Sequence, residues 1–317
     1  TLKGKYEMSK IRSLSLSIGL LALAGAVSAQ DASYPDHNKI DNEDQIDRPD
    51  ELAQASTTPH EKSAAELSKE LTSPNTPLAT LNLKQIYTKF DGDLPGAGDQ
   101  SSLTTLFQPV FPFPLDDSGT TNLFVRPAFT YVTRQPVFNP DTGSFENKSG
   151  WADVGFDVAF GRTYDSGLQL IAGIQGTIPT NTDVSGGQWR LGPEFAAFKI
   201  FENKSFLAVF PQHQWDVGGD DYDYSTTGLE LFGGFILDDG WTVFTDSKWF
   251  YDWEADQATL PINLTVSKVV KFGRLPLKID AGVDYFAESN DDFGQDWAIT
   301  IKIAPVVPNF INNWFSR

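Results

Sequence analysis

The stretch ADVGFDVAFG, residues 152–161, alternates strictly between apolar side chains and polar or small ones. Every second residue from Val154 to Phe160 is apolar, and the positions between them carry Asp157, glycine and alanine, with Asp153 just before Val154. Side chains of a strand point alternately to opposite faces, so this pattern predicts a strand with one apolar and one polar face. In a soluble sandwich the apolar face would form the core, whereas in an outer-membrane barrel it would contact lipid and the aspartates would face the lumen.

The N-terminal region predicts export. Lys10 and Arg12 precede the apolar run SLSIGLLALAGAVSA, which ends in the small-x-small sequence Val27-Ser28-Ala29. This is typical of a secretory signal peptide over residues 8–29, with residues 1–7 lying upstream of it. The run is too short for a transmembrane helix.

Composition narrows the function classes. The absence of cysteine excludes a lipoprotein anchor, disulfides and thiolate chemistry, and it suits the envelope of a Gram-negative bacterium. A net charge of −18 would repel phosphates and disfavours nucleic acid as a partner.

The region after the signal peptide divides in two. Residues 30–78 are acidic, contain proline and are nearly free of aromatics, which indicates a solvated periplasmic tether. Within it HEKSAAELSKELTS predicts one short helix. Residues 79–317 form the predicted barrel, and the tether either stays outside it or enters and plugs it.

Twelve alternating segments follow one another in the barrel region. They cover residues 81–90, 101–111, 121–134, 151–161, 167–178, 188–200, 205–215, 226–237, 241–253, 259–270, 275–287 and 296–307. Their connectors alternate between short turns and long acidic or glycine-rich loops, as in an even-stranded outer-membrane barrel with both chain ends on the periplasmic side. Segments of about ten residues exceed the average globular strand of roughly five to six. We therefore predict an all-β, single antiparallel up-and-down transmembrane barrel of about twelve strands, with the Asp153 face inside.

Charged side chains within the strands are the predicted lumen lining and solute-binding candidates. They are Arg126, Asp153, Asp157, Arg190, Glu194, Glu230, Asp246, Lys248, Lys278, Asp280, Asp284 and Lys302. One interpretation is a cross-lumen network of ion pairs that narrows or seals the pore. The other is that the bases bind an anionic or polar solute while the acids line the opposite wall.

Aromatic residues cluster at the strand ends, where interfacial girdles lie in outer-membrane barrels. The candidates are Tyr131, Trp189, Trp241, Trp249, Tyr251, Trp253, Tyr285 and Trp297.

The C-terminal half, LPINLTVSKVVKFGRLPLKIDAGVDYF followed by DWAITIKIAPVVP, resembles a family of bacterial outer-membrane barrels. These are labelled as transporters, as the MetA pathway of phenol degradation, or, mistakenly, as neuromedin U. Pro261, the Lys271-Phe272-Gly273 turn with Pro276, Trp297 and Pro308 carry the resemblance, and ELSKELTSPNTPLATL, LFQPVFPFPL and NLFVRPAF look like the first segments of that family. The resemblance implies a barrel fold and an outer-membrane location. NFINNWFSR departs from the terminal Phe with which many outer-membrane proteins end.

Enzyme and metal signals are sparse. His213, in FPQHQWDVGG, is the only histidine on a predicted strand, so an outer-membrane lipid hydrolase would have to use it with a serine from a neighbouring strand. The acidic DVGGDDYDY lacks EF-hand spacing, and we expect no metal site and no cofactor.

We accordingly predict a porin-like channel that passes a small solute, such as an aromatic or another small organic compound, with lumen charges setting selectivity. A sealed structural or partner-binding barrel is the alternative, and a hydrolase using His213 is the third. The expected partners are outer-membrane lipid and lipopolysaccharide, the barrel-assembly machinery during insertion, and the solute itself.

Overall fold

A computed structural model describes residues 62–220, 222–273 and 275–309 of the chain. The predicted signal peptide, residues 30–61 of the predicted tether and the C-terminal residues from Phe310 onward lie outside these residues. Within the described residues, the only α-helix is α1 (Ala64–Glu70), and no helix there is long and apolar enough to cross a membrane.

Twelve of the thirteen strands in the described residues close into one antiparallel barrel, which confirms the predicted fold. The strands are β1 (Ala79–Asp91), β2 (Ser101–Pro114), β3 (Thr121–Asn139), β4 (Ser144–Trp151), β5 (Val154–Thr163), β6 (Leu168–Ile178), β7 (Gln188–Ile200), β8 (Ser205–Gly219), β9 (Ser225–Ile236), β10 (Trp241–Asp252), β11 (Gln257–Phe272), β12 (Leu275–Glu288) and β13 (Gly294–Val307). Each strand pairs with its neighbour in sequence, except that β3 pairs with β5, and β1 pairs with β13 to close the ring. Closure leaves no open sheet edge in the ring.

The remaining strand, β4, extends the barrel at one end. Residues 135–150, which the sequence suggested as a loop, instead form a hairpin in which Phe138 pairs with Phe145. The register shifts between Val132 and Gln135, where the hairpin begins to project beyond the ring. A bulge of this kind bends a strand and increases its twist, which aims the hairpin away from the barrel wall.

The two ends of the barrel differ as predicted. Tight turns join the strands at one end, called here the short-turn end, and Ala79 pairs with Val307 there, so β1 begins where β13 ends. The longer connections lie at the opposite, long-loop end.

The alternation of the strands places apolar side chains outside and charged ones inside. Phe160 and Ile262 are 57% and 60% exposed on the outer face, whereas Asp157 on the same strand as Phe160 is 3% exposed. Asp153 and Asp157 therefore point into the lumen.

Residues 62–78, called here the plug, lie inside the short-turn end. Ser63 caps α1 by accepting a hydrogen bond from the Glu66 backbone N–H, while the Glu66 carboxylate accepts one from the Ser63 N–H. This reciprocal capping satisfies two helix-end donors. The hydrogen bonds from Ser63 hold the pKa of Glu66 below its ordinary range.

An apolar contact fixes α1 to the wall. Leu67 and Leu71 are 0% and 2% exposed, and they pack with Leu78, Val269 of β11 and Val306 of β13. Burying a leucine side chain stabilises by about 1.5–3 kcal/mol. A Cβ at Gly240, in the β9–β10 turn, would lie 3.0 Å from the Ala64 carbonyl oxygen, so glycine permits the close approach of α1 to this turn.

Candidate solute site in the barrel lumen

One side of the lumen is filled by a three-residue ion network. Arg126 of β3 donates from Nε to Asp157 of β5 at 2.5 Å and from Nη2 to Glu194 of β7 at 3.3 Å. All three side chains are less than a tenth exposed. Buried charges require partners of this kind, and these three residues find them on nearby strands of one side of the wall rather than across the lumen.

The opposite side carries paired charges around open space. Lys248 of β10 contacts Glu230 of β9 and lies 3.0 Å from Asp246, and Lys302 of β13 lies 2.6 Å from Asp280 of β12. Glu230 and Lys248 are direct cross-strand partners, as are Asp280 and Lys302. These pairs occur because the register sets opposite charges side by side on the inner face.

Asp153 and Arg190 form a separate group near the long-loop end. The Asp153 carboxylate accepts hydrogen bonds from the Thr180 and Gly186 N–H groups at 3.2 and 2.9 Å and from the Ser185 hydroxyl. Arg190 Nη2 lies 3.7 Å from Asp153, and its guanidinium stacks 4.3 Å from the Tyr224 ring centroid. Asp153 therefore fixes the 179–187 loop.

Aromatic side chains fill much of the lumen between these groups. The inward-facing cluster contains Phe198, Phe206, Phe210, Phe232 and Phe244, with alanine and isoleucine side chains between them. Phe206 and Phe232 have ring centroids 4.9 Å apart. This inward cluster was not predicted from the sequence, because the apolar side chains of the alternating strands were all assigned to the outer face. The signal was present in β8 and β9, where the strands carry apolar residues on both faces.

A cavity of about 170 Å³ lies inside the lumen, beside these phenylalanines. Its wall comes from β1, β2 and β8 to β13, and its floor is formed by Leu71, Thr72 and Pro74 of the plug. Toward the long-loop end it reaches Phe90 and Gln135. Apolar and charged side chains both contribute to the lining: six are phenylalanines, Phe90, Phe210, Phe232, Phe244, Phe250 and Phe286, and eight are charged, four of them lysines.

The structure places all twelve predicted lumen residues inside the barrel and divides them between three groups. Glu230, Asp246, Lys248, Lys278, Asp280, Asp284 and Lys302 line the cavity; Arg126, Asp157 and Glu194 form the network on the other side; Asp153 and Arg190 hold the loop. Lys84 of β1 also lines the cavity and was missed. Lys84 lies between Leu83 and Gln85, whose side chains point to the opposite face, and this period-two pattern would have identified Lys84 as an inward residue.

The plug is held across the lumen by polar contacts. Lys278 Nζ donates to the Leu71 carbonyl at 3.2 Å, and Ser68 Oγ lies 2.8 Å from Thr242 Oγ1 of β10. On the far wall, Asn75 donates to Thr163 Oγ1 at 2.7 Å and accepts from Asn122 at 3.0 Å. The plug thus spans from the β10–β12 wall to the β3–β6 wall.

The long-loop end is partly covered by aromatic contacts. Phe90 of β1 stacks on Phe293 with ring centroids 4.6 Å apart, and Phe145 from the tip of the β3–β4 hairpin lies 4.5 Å from the same Phe293 ring. The β3–β4 hairpin therefore contacts the β12–β13 connection through Phe293, next to the end of β1. Burial raises the pKa of Tyr222, whose hydroxyl donates to the Gly186 carbonyl and joins two further loops.

The predicted girdle residues lie on the outer face. Trp189, Trp253 and Tyr285 are 48%, 59% and 59% exposed near the long-loop end, and Trp241 is 44% exposed near the short-turn end. Tyr131, Trp249, Tyr251 and Trp297 occupy outward positions of β3, β10 and β13. Their role at the membrane interface remains a prediction.

His213 lies on the outer face of β8 beside β9. Its Nδ1 is 2.7 Å from Thr227 Oγ1 and its Nε2 is 3.4 Å from Ser225 Oγ. The Trp253 indole N–H donates to the same Thr227 oxygen at 2.8 Å. The structure therefore supplies the neighbouring serine that a hydrolase would need, at a distance longer than an ordinary O–H···N hydrogen bond.

Comparison with solved structures shows the fold. The COG4313 outer membrane channel from Pseudomonas putida F1 matches with a TM-score of 0.56 and 15% identity over 73% of this chain and 95% of that chain. The NanC porin matches with a TM-score of 0.45 and 9% identity over 71% and 98% of the two chains. The β domain of the Bordetella autotransporter BrkA matches with a TM-score of 0.45 and 12% identity over 72% and 100%.

No family model and no curated protein matches this chain. The resemblance to the family labelled MetA pathway of phenol degradation therefore remains a prediction, and the outer-membrane barrel fold is what the comparison establishes.

Proposed function

We propose that this protein is a bacterial outer-membrane channel that admits a small organic solute from the long-loop side and is closed by its plug on the periplasmic side. The observation that carries the proposal is the cavity bounded by Leu71, Thr72 and Pro74 of the plug. If the side chains of the barrel wall alone closed the lumen, no further segment such as the plug would need to be buried at one end of it.

The lining of the cavity favours an organic solute. Phenylalanine rings provide apolar contact, and the charged pairs on β9, β10, β12 and β13 provide hydrogen-bonding groups at fixed positions. Pockets for small molecules typically combine a mostly apolar wall with a few placed polar groups.

The plug also supports the alternative of a sealed barrel. Residues 71–76 are buried, and their contacts reach both walls of the lumen. The two functions differ in whether the plug moves, because a channel requires a state in which the contacts between plug and wall are broken.

A reversible crosslink tests this requirement. The natural chain has no cysteine, so Ser68→Cys with Thr242→Cys would be the only thiol pair, and the 2.8 Å separation of the two hydroxyl oxygens brings the side chains within reach of a disulfide. In planar bilayers, the full chain should show discrete openings that disappear on oxidation and return on reduction.

The single variant Ser68→Cys is the control and should conduct equally with and without oxidant. Absence of openings from the natural chain and from the reduced pair would reject the channel and favour the sealed barrel. Openings unaffected by a verified disulfide would show that solute passes without displacement of α1.

We further propose that the protein is not an enzyme. The natural chain should not hydrolyse phospholipid in detergent, whereas a hydrolase that used the Ser225–His213 pair would show hydrolysis that disappears in His213→Ala. Hydrolysis by the natural chain, lost in this variant, would overturn the proposal.

A further inference from the structure

We infer that the solute is a small organic cation, in which an ammonium group is attached to an apolar body. This inference rests on the proposed channel function and specifies its substrate class. Three independent features of the molecule support it: the charge of the mouth, the unpartnered acceptors of the cavity, and the aromatic wall beside them.

The mouth of the barrel carries one sign of charge. Its six longest connections are residues 92–100, 140–143, 179–187, 220–224, 253–256 and 289–293, and every charged residue in them is aspartate or glutamate. A ring of one sign around a low-dielectric opening concentrates counter-ions and repels ions of its own sign. The mouth therefore favours cations over anions.

The bases closest to this end do not neutralise the opening. Lys89 and Arg134 belong to the outward face, where Arg134 donates to the Ser101 carbonyl and hydroxyl at 3.1 and 2.7 Å and Lys89 is the cross-strand partner of Ser101. Lys148, on β4, lies 3.7 Å from Glu146, and Arg190 lies 3.7 Å from Asp153. These bases are on the outer surface or already beside an acid.

Two carboxylate oxygens in the cavity wall have no hydrogen-bond donor among the described residues. Glu230 Oε1 and Asp280 Oδ1 are buried, and both residues line the cavity. Asp280 pairs with Lys302, and Glu230 shares Lys248 with Asp246, while Glu230 Oε1 and Asp280 Oδ1 accept no hydrogen bond from the described residues. An ammonium group supplies only donors, and it therefore complements these two oxygens. A solute carboxylate would supply only acceptors.

The aromatic wall accepts a positive charge. Lys278 Nζ lies 5.6 Å from the centroid of the Phe244 ring, so an ammonium group is already accommodated against this face inside the cavity. Phe210, Phe232 and Phe250 extend the same apolar side. Aromatic faces attract cations, and the attraction strengthens where water is excluded.

An anionic solute would have to compete for lysines that are engaged. Lys248 contacts both Glu230 and Asp246, and Lys302 contacts Asp280. Removing a lysine from such a buried pair leaves an uncompensated carboxylate, which is costly. Lys278 in turn donates to the Leu71 carbonyl, so three of the four cavity lysines are engaged by the wall or the plug rather than open to an anion.

Three probes that share one ring and differ in charge test the inference. Benzylammonium, benzyl alcohol and benzoate are added to the long-loop side of channels formed by the full chain, and block of the potassium current is measured. Benzylammonium should block at concentrations lower than benzoate by on the order of tenfold or more, because the mouth and the cavity act in the same direction.

Matched variants locate the effect. Glu230→Gln keeps the shape of the side chain, removes its charge and should weaken benzylammonium block severalfold. Asp238→Asn is the control, because this exposed acid lies in the β9–β10 turn at the short-turn end, away from the mouth and outside the cavity lining, and it should leave block unchanged. Asp291→Asn with Asp292→Asn should slow block mainly at low salt, since exposed charges act through a screened field.

The outcomes separate the two proposals. No current from any form rejects the channel itself. A conducting channel that benzoate blocks as well as benzylammonium overturns the cation inference, and equal block by benzyl alcohol shows that hydrogen-bond donation without charge is sufficient, which overturns it as well.

Discussion

Gln169 of β6 holds Ser73 of the plug through both ends of its side-chain amide. Ser73 Oγ donates to Gln169 Oε1 at 2.9 Å, and Gln169 Nε2 lies 2.8 Å from the same hydroxyl oxygen; the Asn75 backbone N–H also donates to Oε1 at 3.1 Å. One neutral side chain of the wall therefore fixes two positions of the segment that crosses the lumen. Because these bonds are neutral, each is weaker than a charge-assisted contact such as the one from Lys278 to the Leu71 carbonyl.

Gln169→Ala should raise the open probability of the channel. The substitution removes the hydrogen bonds to Ser73 and Asn75 and leaves the Asn75 N–H without its partner, at a cost of about 1–3 kcal/mol to the closed state. Single-channel recording is the measurement. Gln175→Ala is the control, since Gln175 is buried on the same face of β6 but has no hydrogen bond to the plug among the described residues. Equal open probabilities in both variants would contradict the role of Gln169.

Leu67→Ala should loosen the plug while the barrel stays folded. Leu67 is fully buried among Leu71, Val269 and Val306, and truncation of such a side chain costs about 2–5 kcal/mol. Limited digestion with a broad-specificity protease should cut residues 62–78 faster, and the heat-modifiable mobility of the barrel on gels should persist. Lys69→Ala, on the exposed side of the same helix, should digest at the natural rate. Loss of the folded barrel would show that the plug is required for the wall.

Asp157→Asn should destabilise the barrel strongly. It removes the charge that faces Arg126 at 2.5 Å, and breaking a buried ion pair costs about 3–5 kcal/mol because the remaining charge stays buried. Urea unfolding of the protein in detergent is the measurement. Asp238→Asn is the comparison: its carboxylate pairs with Lys204 at 2.8 Å on the surface, where ion pairs contribute little. Similar effects of the two substitutions would contradict the account of the lumen network.

Acidification should release α1. The hydrogen bonds from Ser63 lower the pKa of Glu66 in the folded plug, so the ionised group stabilises the plug at pH values above the ordinary glutamate pKa of about 4.3. This contribution disappears as the pH falls through the lowered pKa. Protease sensitivity of residues 62–78 should therefore rise at low pH.

Glu66→Gln supplies the control for this pH effect. The variant retains an acceptor for the Ser63 N–H but does not titrate, so the change attributable to Glu66 should be absent from it. An identical pH dependence in the natural chain and the variant would assign the effect to other groups.

Much of the site follows from local pattern. Period-two alternation in β5 and β12 placed Asp157 and Asp280 on the inner face before any pairing was known, because the pleat alone sets the direction of a side chain. The partners of these acids required the register. Arg126 meets Asp157 and Lys302 meets Asp280 only because β3 and β5, and β12 and β13, align as they do.

The amino-acid sequence by itself determined the strands, their inner and outer faces, and the alternation of short turns with long acidic loops, since these depend on neighbours in the chain and on the contrast between lipid and water. Only the tertiary structure decided that residues 62–78 enter the barrel, that phenylalanines fill one side of the lumen and that a cavity lined by phenylalanines and charged side chains remains. The reason is geometric. The space inside a barrel is set by all of its strands together, so which segment fits there, and what stays open, is not encoded in any single stretch.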